Sequence, residues 1–287
     1  MKFRKTISLL VVFTLICGIC SGCALFERDY PVTVAGQEIT ALPERVATFS
    51  EAAASAIYAM GYQSHLVGAP TTFIAEDMTG VTDLGTPVIP NEQALLELAP
   101  DVLITATALD GALAEKLRLR DITVLPLKTP DSYEAVQPYY TELYKLFLGK
   151  KKYEEAVAVY WGETERVLGE LKTANTSLSK KAIVLLEEGH VVTGDTLGGQ
   201  AMAKAGITNV AADATHYTMS TEAVVKANPD VIFCAAGMSD AVFQNKAYKE
   251  VTAIKEAAVY EIDIIALCYA GEGFAAALQS MSTYLKL

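Results

Sequence analysis

Short apolar runs alternate with helical stretches through the first half of the chain. Strands are predicted at four such runs, 45–49, 66–69, 101–105 and 122–127. The Ala-rich segment 51–60 predicts a helix that ends at Gly61, and another helix is predicted through 94–98. Alternation of this kind is typical of parallel sheets with helices on both faces.

The alternation stops in the middle of the chain. Between Ser132 and Ala174 there is no strand pattern, and from Tyr153 to Leu171 apolar residues recur at spacings of three and four. That spacing predicts one long amphipathic helix. It begins at the basic run 150–152 and ends at a polar segment, so we expect a helix over 150–175.

Strand and helix patterns then resume. Strands are predicted at 182–186, at 231–234 and within 260–268, and helices at 198–205 and 273–285. The sequence therefore predicts a second α/β unit after the long helix.

An internal echo relates the two halves. NEQALLELAPDVLI starts at Asn91 and STEAVVKANPDVIF starts at Ser220, about 130 residues later, which is far beyond the period of solenoid repeats. Each copy predicts a helix that opens with a Glu, then Pro-Asp, then a buried strand. We therefore expect two similar α/β lobes with largely parallel sheets, an N-terminal lobe over 31–149 and a C-terminal lobe over 176–287, bridged by the helix 150–175.

The N-terminus has the pattern of a signal peptide over 1–22. A basic start is followed by the uncharged run 7–20 and two small residues, and then by Cys23. The uncharged run is shorter than the roughly 20 apolar residues that a membrane span needs. Small residues before a Cys resemble a bacterial lipoprotein signal, which implies lipidation of Cys23 and a tether over 23–30. An ordinary secretory signal or an uncleaved anchor are the alternatives.

Composition and charge exclude several classes of protein. A hydrophobic fraction of 52% with 20% charged residues indicates a folded globular chain. The formal net charge of −11 becomes more negative once the basic signal is removed, which argues against nucleic acid as a partner and against contact with an acidic membrane surface. Cys234 and Cys268 follow apolar runs interpreted as strands; they form either a disulfide or, as we expect, two buried free thiols.

Several segments in order resemble one known family. PERVATFS, AAASAIYAMGYQSHLVGAP, the two Glu-to-Pro-Asp segments and GGQAMAKAGITNVA are similar to the solute-binding proteins of ABC importers for ferric siderophores, haem and cobalamin. The resemblance covers the whole mature chain. It implies two lobes bridged by one rigid helix, a ligand cleft between them with little closure, and delivery to a permease dimer with its ATPase.

By the same resemblance, Glu92 and Glu222 would dock onto Arg residues of the permease. Arg pairs with carboxylates in a bidentate manner. The alternative is that both are ordinary acidic residues in a first helical turn, beside the N-caps Asn91 and Ser220.

Candidate ligand contacts follow from the strand ends. In open α/β sheets, ligands bind outside the carboxyl ends of strands, in loops that concentrate binding residues. The candidates at these positions are Ser50, Glu51, Lys128, His190, Met238 and Tyr269. Lys128 is the only clear cation in these loops, which favours a neutral or cationic ligand, such as a hydroxamate complex or a corrinoid, over a trianionic catecholate complex.

No metal site or catalytic set is predicted, and no cofactor. His65, His190 and His216 lack local ligand spacing, and His65 is expected at the wrong end of its sheet; His190 alone is a candidate axial ligand for a haem iron. The sequence has neither a phosphate-binding Gly loop nor a nucleophile elbow. We therefore expect a binding protein and not an enzyme. A zinc- or manganese-binding protein and a surface enzyme on the same scaffold remain the alternatives.

Overall fold

Two α/β lobes joined by a long helical segment make up the computed structural model, which describes residues 29–75, 78–86, 88–187, 189–270 and 273–286, with only the backbone of Glu187. The signal peptide and Cys23 lie outside the described residues. Within them, no helix is both long enough and apolar enough to span a membrane.

The N-terminal lobe has seven strands and three helices among the described residues. The strands are β1 (Val32–Val34), β2 (Gln37–Ile39), β3 (Val46–Thr48), β4 (Leu66–Ala69), β5 (Thr82–Asp83), β6 (Val102–Thr105) and β7 (Thr123–Pro126), and the helices are α1 (Glu51–Ala59), α2 (Glu92–Leu98) and α3 (Gly111–Arg118). The main sheet is parallel throughout, in the order β5-β4-β3-β6-β7. The four predicted strands are confirmed. The β1–β2 hairpin and α3 were not predicted.

The connecting segment α4 (Tyr133–Asn175) is helical except at Gly149, which has φ 69° and ψ −163°. Arm 1 (133–148) and arm 2 (150–175) therefore form two helices. Arm 2 starts at Lys150, and at about 1.5 Å per residue it is roughly 39 Å long.

Arm 2 runs from one lobe to the other. At its start, the Lys150 amide donates to the backbone oxygen of Asp29, 2.7 Å away. At its end, the Asn175 side chain donates to the Ala205 carbonyl at 2.8 Å and accepts from the Ser282 hydroxyl at 2.7 Å. Both of the latter partners belong to the C-terminal lobe, so arm 2 is the predicted bridging helix.

The C-terminal lobe repeats the layout of the first. Its strands are β8 (Lys181–Glu187), β9 (His190–Val191), β10 (Thr208–Asn209), β11 (Val231–Cys234) and β12 (Val259–Glu261), and its helices are α5 (Leu197–Lys204), α6 (Thr221–Ala227), α7 (Ser239–Gln244), α8 (Thr252–Lys255), α9 (Ile264–Tyr269) and α10 (Phe274–Leu285). The order β10-β8-β11-β12 is parallel, and β9 pairs antiparallel with β8.

The internal echo has a structural explanation. In each copy a short helix ends in a left-handed residue, Ala99 (φ 44°) or Asn228 (φ 48°), and Pro-Asp follows. The Asp101 carboxylate accepts the Arg45 amide at 2.9 Å, just before β3. The Asp230 carboxylate accepts the Lys181 amide at 2.7 Å, at the start of β8. The repeated Asp therefore fixes where the central strand of each lobe begins.

The predicted strand within 260–268 is mostly wrong. Strand β12 ends at Glu261, and the apolar run that follows forms helix α9, because the Asp263 carboxylate accepts the Ala266 amide at 2.8 Å and caps a helical turn. Cys268 is therefore helical. Cys234 and Cys268 are both buried and free, and burial raises the pKa of their thiols to about 11 and about 12.

One hydrophobic core extends through both lobes. It includes Ile57 of α1, Leu143 of arm 1, Val184 of β8 and Leu278 of α10, all fully buried. Because apolar packing is continuous across the junction, the lobes are held as one unit and wide hinge motion is disfavoured.

Candidate functional site

A cavity of about 580 Å³ opens between the lobes. Glu51 comes from the N-terminal lobe, and the other lining residues come from the C-terminal lobe: Leu186, His190, His216, Tyr217, Ile264, Ile265, Cys268 and Tyr269. Glu51 begins α1, three residues after the carboxyl end of β3, and Leu186 lies at the carboxyl end of β8. Both strands are the first of their sheets, where the strand order reverses, which is the position at which open α/β sheets bind ligands.

The Glu51 carboxyl projects from the first turn of α1. Ser50 caps this helix, and its buried hydroxyl accepts the Ala53 amide at 3.3 Å. The Thr72 hydroxyl donates to Glu51 Oε2 at 3.4 Å. Burial raises the pKa of the Glu51 carboxyl, and the Thr72 hydrogen bond offsets part of that rise. The site therefore holds a partly desolvated acid with a single weak partner.

Another polar group of the same lobe lies at the neighbouring strand end. The hydroxyl of Thr105, at the end of β6, is buried and has no hydrogen-bond partner among the described residues. Strand β6 is paired with β3, so this hydroxyl lies at the same strand-order reversal as Glu51. A buried hydroxyl without a partner is unusual and marks a position that a water or a ligand group could satisfy.

Tyrosines and histidines form the opposite wall. Burial, followed by the neighbouring Cys268 and Tyr269, raises the pKa of the Tyr217 phenol to about 12. Burial also raises the pKa of Tyr269, and the negative charge of Glu51 adds to the rise. Both phenols therefore stay protonated near neutral pH and can donate hydrogen bonds to a ligand.

A folded-back loop brings His216 and Tyr217 to this wall. The Asp195 carboxylate accepts the His216 amide at 3.0 Å, and the Val191 amide donates to the Tyr217 carbonyl at 2.8 Å. His216 and Tyr217 both have φ 57°, in the left-handed region. The local sequence gave no sign of this arrangement, so both residues were missed as site residues.

The structure brings together three of the six predicted ligand contacts, Glu51, His190 and Tyr269. Tyr269 was expected to follow a strand, but it is the last residue of helix α9. The Ser50 side chain is used in capping α1. Lys128 and Met238 do not line this cavity.

Lys128 and Met238 have other surroundings. Lys128 is largely exposed and forms an ion pair with Asp131, three residues along the chain. Met238 packs against a second core cluster, which belongs to the C-terminal lobe alone and includes Ile183, Ile232 and Val251. No described residue that lines the interlobe cavity is therefore a Lys or an Arg.

Two other cavities of similar volume do not join the lobes at strand ends. One, of about 650 Å³, is lined only by the C-terminal lobe, between β12 and α10. The other, of about 690 Å³, lies along arm 2 and α10. Among the described cavities, only the one at Glu51 is lined by both the start of α1, which follows β3, and a residue of β8.

The two candidate docking carboxylates lie at the starts of α2 and α6. Glu92 Oε2 is 2.8 Å from Lys116 Nζ in a half-exposed ion pair. Glu222 is exposed and has no ion pair within the described part of the chain. The caps are separate side chains, because Asn91 accepts the Ala94 amide at 3.1 Å and Ser220 accepts the Ala223 amide at 3.2 Å.

Curated relatives of the chain share about a quarter of its residues. An uncharacterized ABC transporter substrate-binding lipoprotein of Bacillus subtilis, YvrC, is 25% identical over 248 residues, which are 82% of this chain and 79% of that protein. A cobalamin-binding protein of Halobacterium salinarum is 24% identical over 216 residues, 71% of this chain. The match spans only 58% of that longer protein.

A solved structure with the same fold is the periplasmic heme-binding protein HutB of Vibrio cholerae. It superposes with a TM-score of 0.71 at 19% identity, covering 85% of this chain and 99% of HutB. A sequence model of the periplasmic binding protein family matches residues 46–266, which include every strand of both main sheets. The chain therefore belongs to the periplasmic binding protein family.

Proposed function

We propose that this chain is the lipid-anchored solute-binding component of an ABC importer, which captures a metal complex between its lobes and delivers it to a permease. The observation that carries this proposal is the cavity at Glu51, placed between two lobes whose relative position is fixed by arm 2. Family membership supports the transport role, because the relatives include an ABC transporter substrate-binding lipoprotein.

The walls of the cavity favour a ligand without several negative charges. One partly buried carboxyl shares the cavity with two phenols and two imidazoles, and no described lining residue is a Lys or an Arg. A trianionic catecholate complex would need several Lys or Arg partners. A corrinoid, haem or a hydroxamate siderophore complex suits the site better, with a corrinoid or hydroxamate complex ahead because neither carries a large negative charge.

The imidazoles of His190 and His216 add a specific capability. A metal complex with an open axial position can take a neutral imidazole as a ligand. Both residues line the same cavity, and the bridge between His190 and Thr218 brings the loop that carries His216 beside β9. Charge and the two histidines together favour a corrinoid-type ligand, because haem meets only the criterion of the histidines and a hydroxamate complex meets only the criterion of charge.

Delivery is assigned to Glu92 and Glu222. The two residues lie at matching places in the two halves of the echo, so a dimeric permease can engage one carboxylate with each subunit. Arg is the expected partner because its guanidinium pairs with a carboxylate through two hydrogen bonds. The capping role does not need either Glu, since Asn91 and Ser220 already cap the two helices.

Anchoring is assigned to Cys23. The tether ends near the start of arm 2, where the Tyr30 hydroxyl donates to the Leu146 carbonyl at 2.7 Å. Cys23→Ala in producing cells should prevent lipid labelling by radioactive palmitate, which the wild-type chain should take up. Labelling that persists in Cys23→Ala would contradict this assignment.

Direct titration tests the ligand class. The purified mature chain should bind at least one of cyanocobalamin, haemin or a ferric hydroxamate with a Kd below about 10 μM, an affinity typical of specific capture. Ferric enterobactin should bind more weakly than the hydroxamate complex. The proposal fails if no member of the panel binds below that concentration.

Two further measurements on the purified chain test the alternatives, which are a zinc- or manganese-binding protein and a surface enzyme. Zinc or manganese held at one equivalent after purification would favour a metal-ion-binding protein. Among the described residues, no three His, Cys, Asp or Glu side chains are grouped closely enough to hold an ion. Recovery of the bound ligand unchanged, checked by mass spectrometry, distinguishes a binding protein from a surface enzyme.

A further inference from the structure

Two nearly uncovered hydrophobic side chains stand beside Glu92. Val88 is 88% exposed and Ile89 is 78% exposed, the highest values among the exposed large hydrophobic residues. At most about 10 Å of chain separates Ile89 from Glu92. We call Val88 and Ile89 the apolar tip.

Hydrogen bonds between Thr86 and Ile89 hold the turn that carries the apolar tip. The Thr86 amide donates to the Ile89 carbonyl at 3.1 Å, and the Ile89 amide donates back to the Thr86 hydroxyl at 3.0 Å. Below them, Gly85 pairs with Pro90 in an antiparallel bridge. Gly85 has φ 76°, and a Cβ there would come within 2.5 Å of the Ile89 carbonyl oxygen, so the turn requires glycine.

A fixed turn that exposes two β-branched side chains is unfavourable in water unless something covers them. Apolar exposure costs about 25 cal/mol per Å², and exposed apolar residues next to polar groups mark interaction sites. Continuity with Glu92 identifies which surface they belong to, because α2 begins directly after the turn.

We propose that the apolar tip enters an apolar socket on the permease, next to the Arg that receives Glu92. This inference rests on the proposed transport function and adds a second, apolar contact to the docking carboxylate. The tip is too small to hold two copies of this chain together, since a stable interface buries about 800 Å² on each partner.

Charge argues against a lipid surface as the occupant. Binding to an anionic membrane surface needs basic side chains, and segment 84–92 has none while the chain has a net charge of −11. Lys116, which lies beside this segment, is already paired with Glu92.

Among the described residues, only the N-terminal lobe has such an exposed apolar pair beside its candidate docking Glu. In the C-terminal lobe, Met219 precedes the Ser220 cap and packs against the lobe's second core cluster. The N-terminal lobe is therefore expected to contribute an apolar contact that the C-terminal lobe does not match within the described residues.

Site-specific photocrosslinking in producing cells tests the inference. The full chain carries p-benzoylphenylalanine at position 89, at position 221 beside Glu222, or at position 119 as the control. Leu119 is also an exposed hydrophobic residue of the N-terminal lobe, at 67% exposure. Positions 89 and 221 should both capture a permease subunit identified by its peptides, and position 119 should not.

The outcomes distinguish the apolar contact with the permease from the transport function on which it rests. Capture at 221 without capture at 89 overturns the apolar tip and leaves the transport function standing. No permease at either position overturns the transport function itself. Lipid, a second copy of this chain or an unrelated protein at position 89 also overturns the inference.

A binding measurement shows how much the apolar tip contributes to the affinity for the permease. The measurement uses nanodiscs that hold the captured permease with its ATPase. V88S/I89S should raise the Kd for docking about tenfold or more, because docking no longer buries two apolar side chains. The control Leu119→Ser should leave it unchanged. Equal docking by V88S/I89S and the wild-type chain would refute the socket.

Discussion

The ring of Tyr140 stacks on that of Tyr160, with centroids 4.1 Å apart. In one continuous helix, about 20 positions would separate the two residues by about 30 Å. The Tyr133 hydroxyl also donates to Glu165 at 2.8 Å. Arms 1 and 2 therefore pack antiparallel as a helical hairpin, and the connection between the lobes is stiffened by two helices side by side.

The hairpin turns at Gly149. A Cβ at this position would overlap the backbone of Asp29, and its φ of 69° is strained for any other residue. We expect Gly149→Ala to lower the free energy of unfolding by more than about 1 kcal/mol, by steric overlap and backbone strain. Chemical denaturation measures the change.

Gly162 on arm 2 provides a matched control. It is exposed, lies within the helix, and has nothing within 4 Å of an added Cβ. Gly162→Ala should therefore raise stability by about 0.5–1 kcal/mol, because Gly is a poor helix former. A stabilising Gly149→Ala would show that the chain does not reverse there.

A buried hydrogen bond connects arm 1 to the cavity wall. The Tyr140 hydroxyl donates to the Ala270 carbonyl at 2.6 Å, next to Tyr269. Tyr140→Phe leaves that carbonyl unpaired and should lower stability by about 1–3 kcal/mol. Ligand affinity should fall too, since Tyr269 loses the support of the residue that follows it.

Tyr144→Phe is the control for this change. The ring of Tyr144 lies 6.3 Å from that of Tyr140, but its hydroxyl makes no hydrogen bond within the described residues. Thermal unfolding and ligand titration should both be close to wild type. Equal effects of the two substitutions would mean that the Ala270 hydrogen bond does not matter.

Helix and strand positions in both lobes could be predicted because each has its own local pattern. The echo with Pro-Asp located β6 and β11, which directly follow Asp101 and Asp230. The hydrogen bonds of these two Asp side chains to the starts of β3 and β8 could not be predicted, because they join residues 56 and 49 positions apart. Helix α9 was misassigned because a short buried apolar run fits a strand and a helix equally well, and a single cap, Asp263, decides between them.

Only some of the residues that line the interlobe cavity could be predicted, because the others reach it through long-range contacts. Glu51 lies three residues after the end of β3 and His190 lies three residues after the end of β8, so the rule about carboxyl ends found them. His216 and Tyr217 reach the site through long-range contacts of a loop with Asp195 and β9, which no local pattern encodes. Lys128 fits the rule equally well, yet it turns to Asp131.

The raised pKa of Glu51 gives a test by pH. Burial makes the folded chain hold this proton more tightly than the unfolded chain does. The contribution of Glu51 to stability therefore falls as the pH rises from the unfolded value of about 4.5 through the folded pKa. We expect Glu51→Gln to raise the melting temperature at pH 7, and the difference to disappear below about pH 4.

Ligand titration on Glu51→Gln gives a second readout. A cationic complex should bind more weakly to this variant at pH 7, and the wild-type chain should lose the same affinity as the pH falls through the Glu51 pKa. Glu38→Gln, at an exposed carboxyl outside the cavity, is the control. A ligand whose affinity is insensitive to both Glu51→Gln and pH does not contact this carboxyl.

Docking should depend on both lobes. Glu92→Ala and Glu222→Ala should leave ligand affinity in solution unchanged but weaken uptake, with the double variant weaker than either. Breaking a buried charge pair with a permease Arg costs about 2–5 kcal/mol, whereas a rim pair costs far less. The cap variants Asn91→Ala and Ser220→Ala should instead lower stability by about 1 kcal/mol and leave uptake normal.

Lys116 makes the two docking carboxylates unequal. Glu92 must exchange Lys116 for the permease Arg, and the released ammonium group remains close enough to repel that Arg. Lys116→Gln should therefore strengthen docking a few-fold, most clearly at low ionic strength, because the lost pair is exposed and worth at most about 1 kcal/mol. Arg118→Gln, which removes a cation of the same helix that pairs with Glu115, should not have this effect. Weaker docking by Lys116→Gln would mean that Lys116 itself contacts the permease, and the ion pair with Glu92 would then be part of the docking surface.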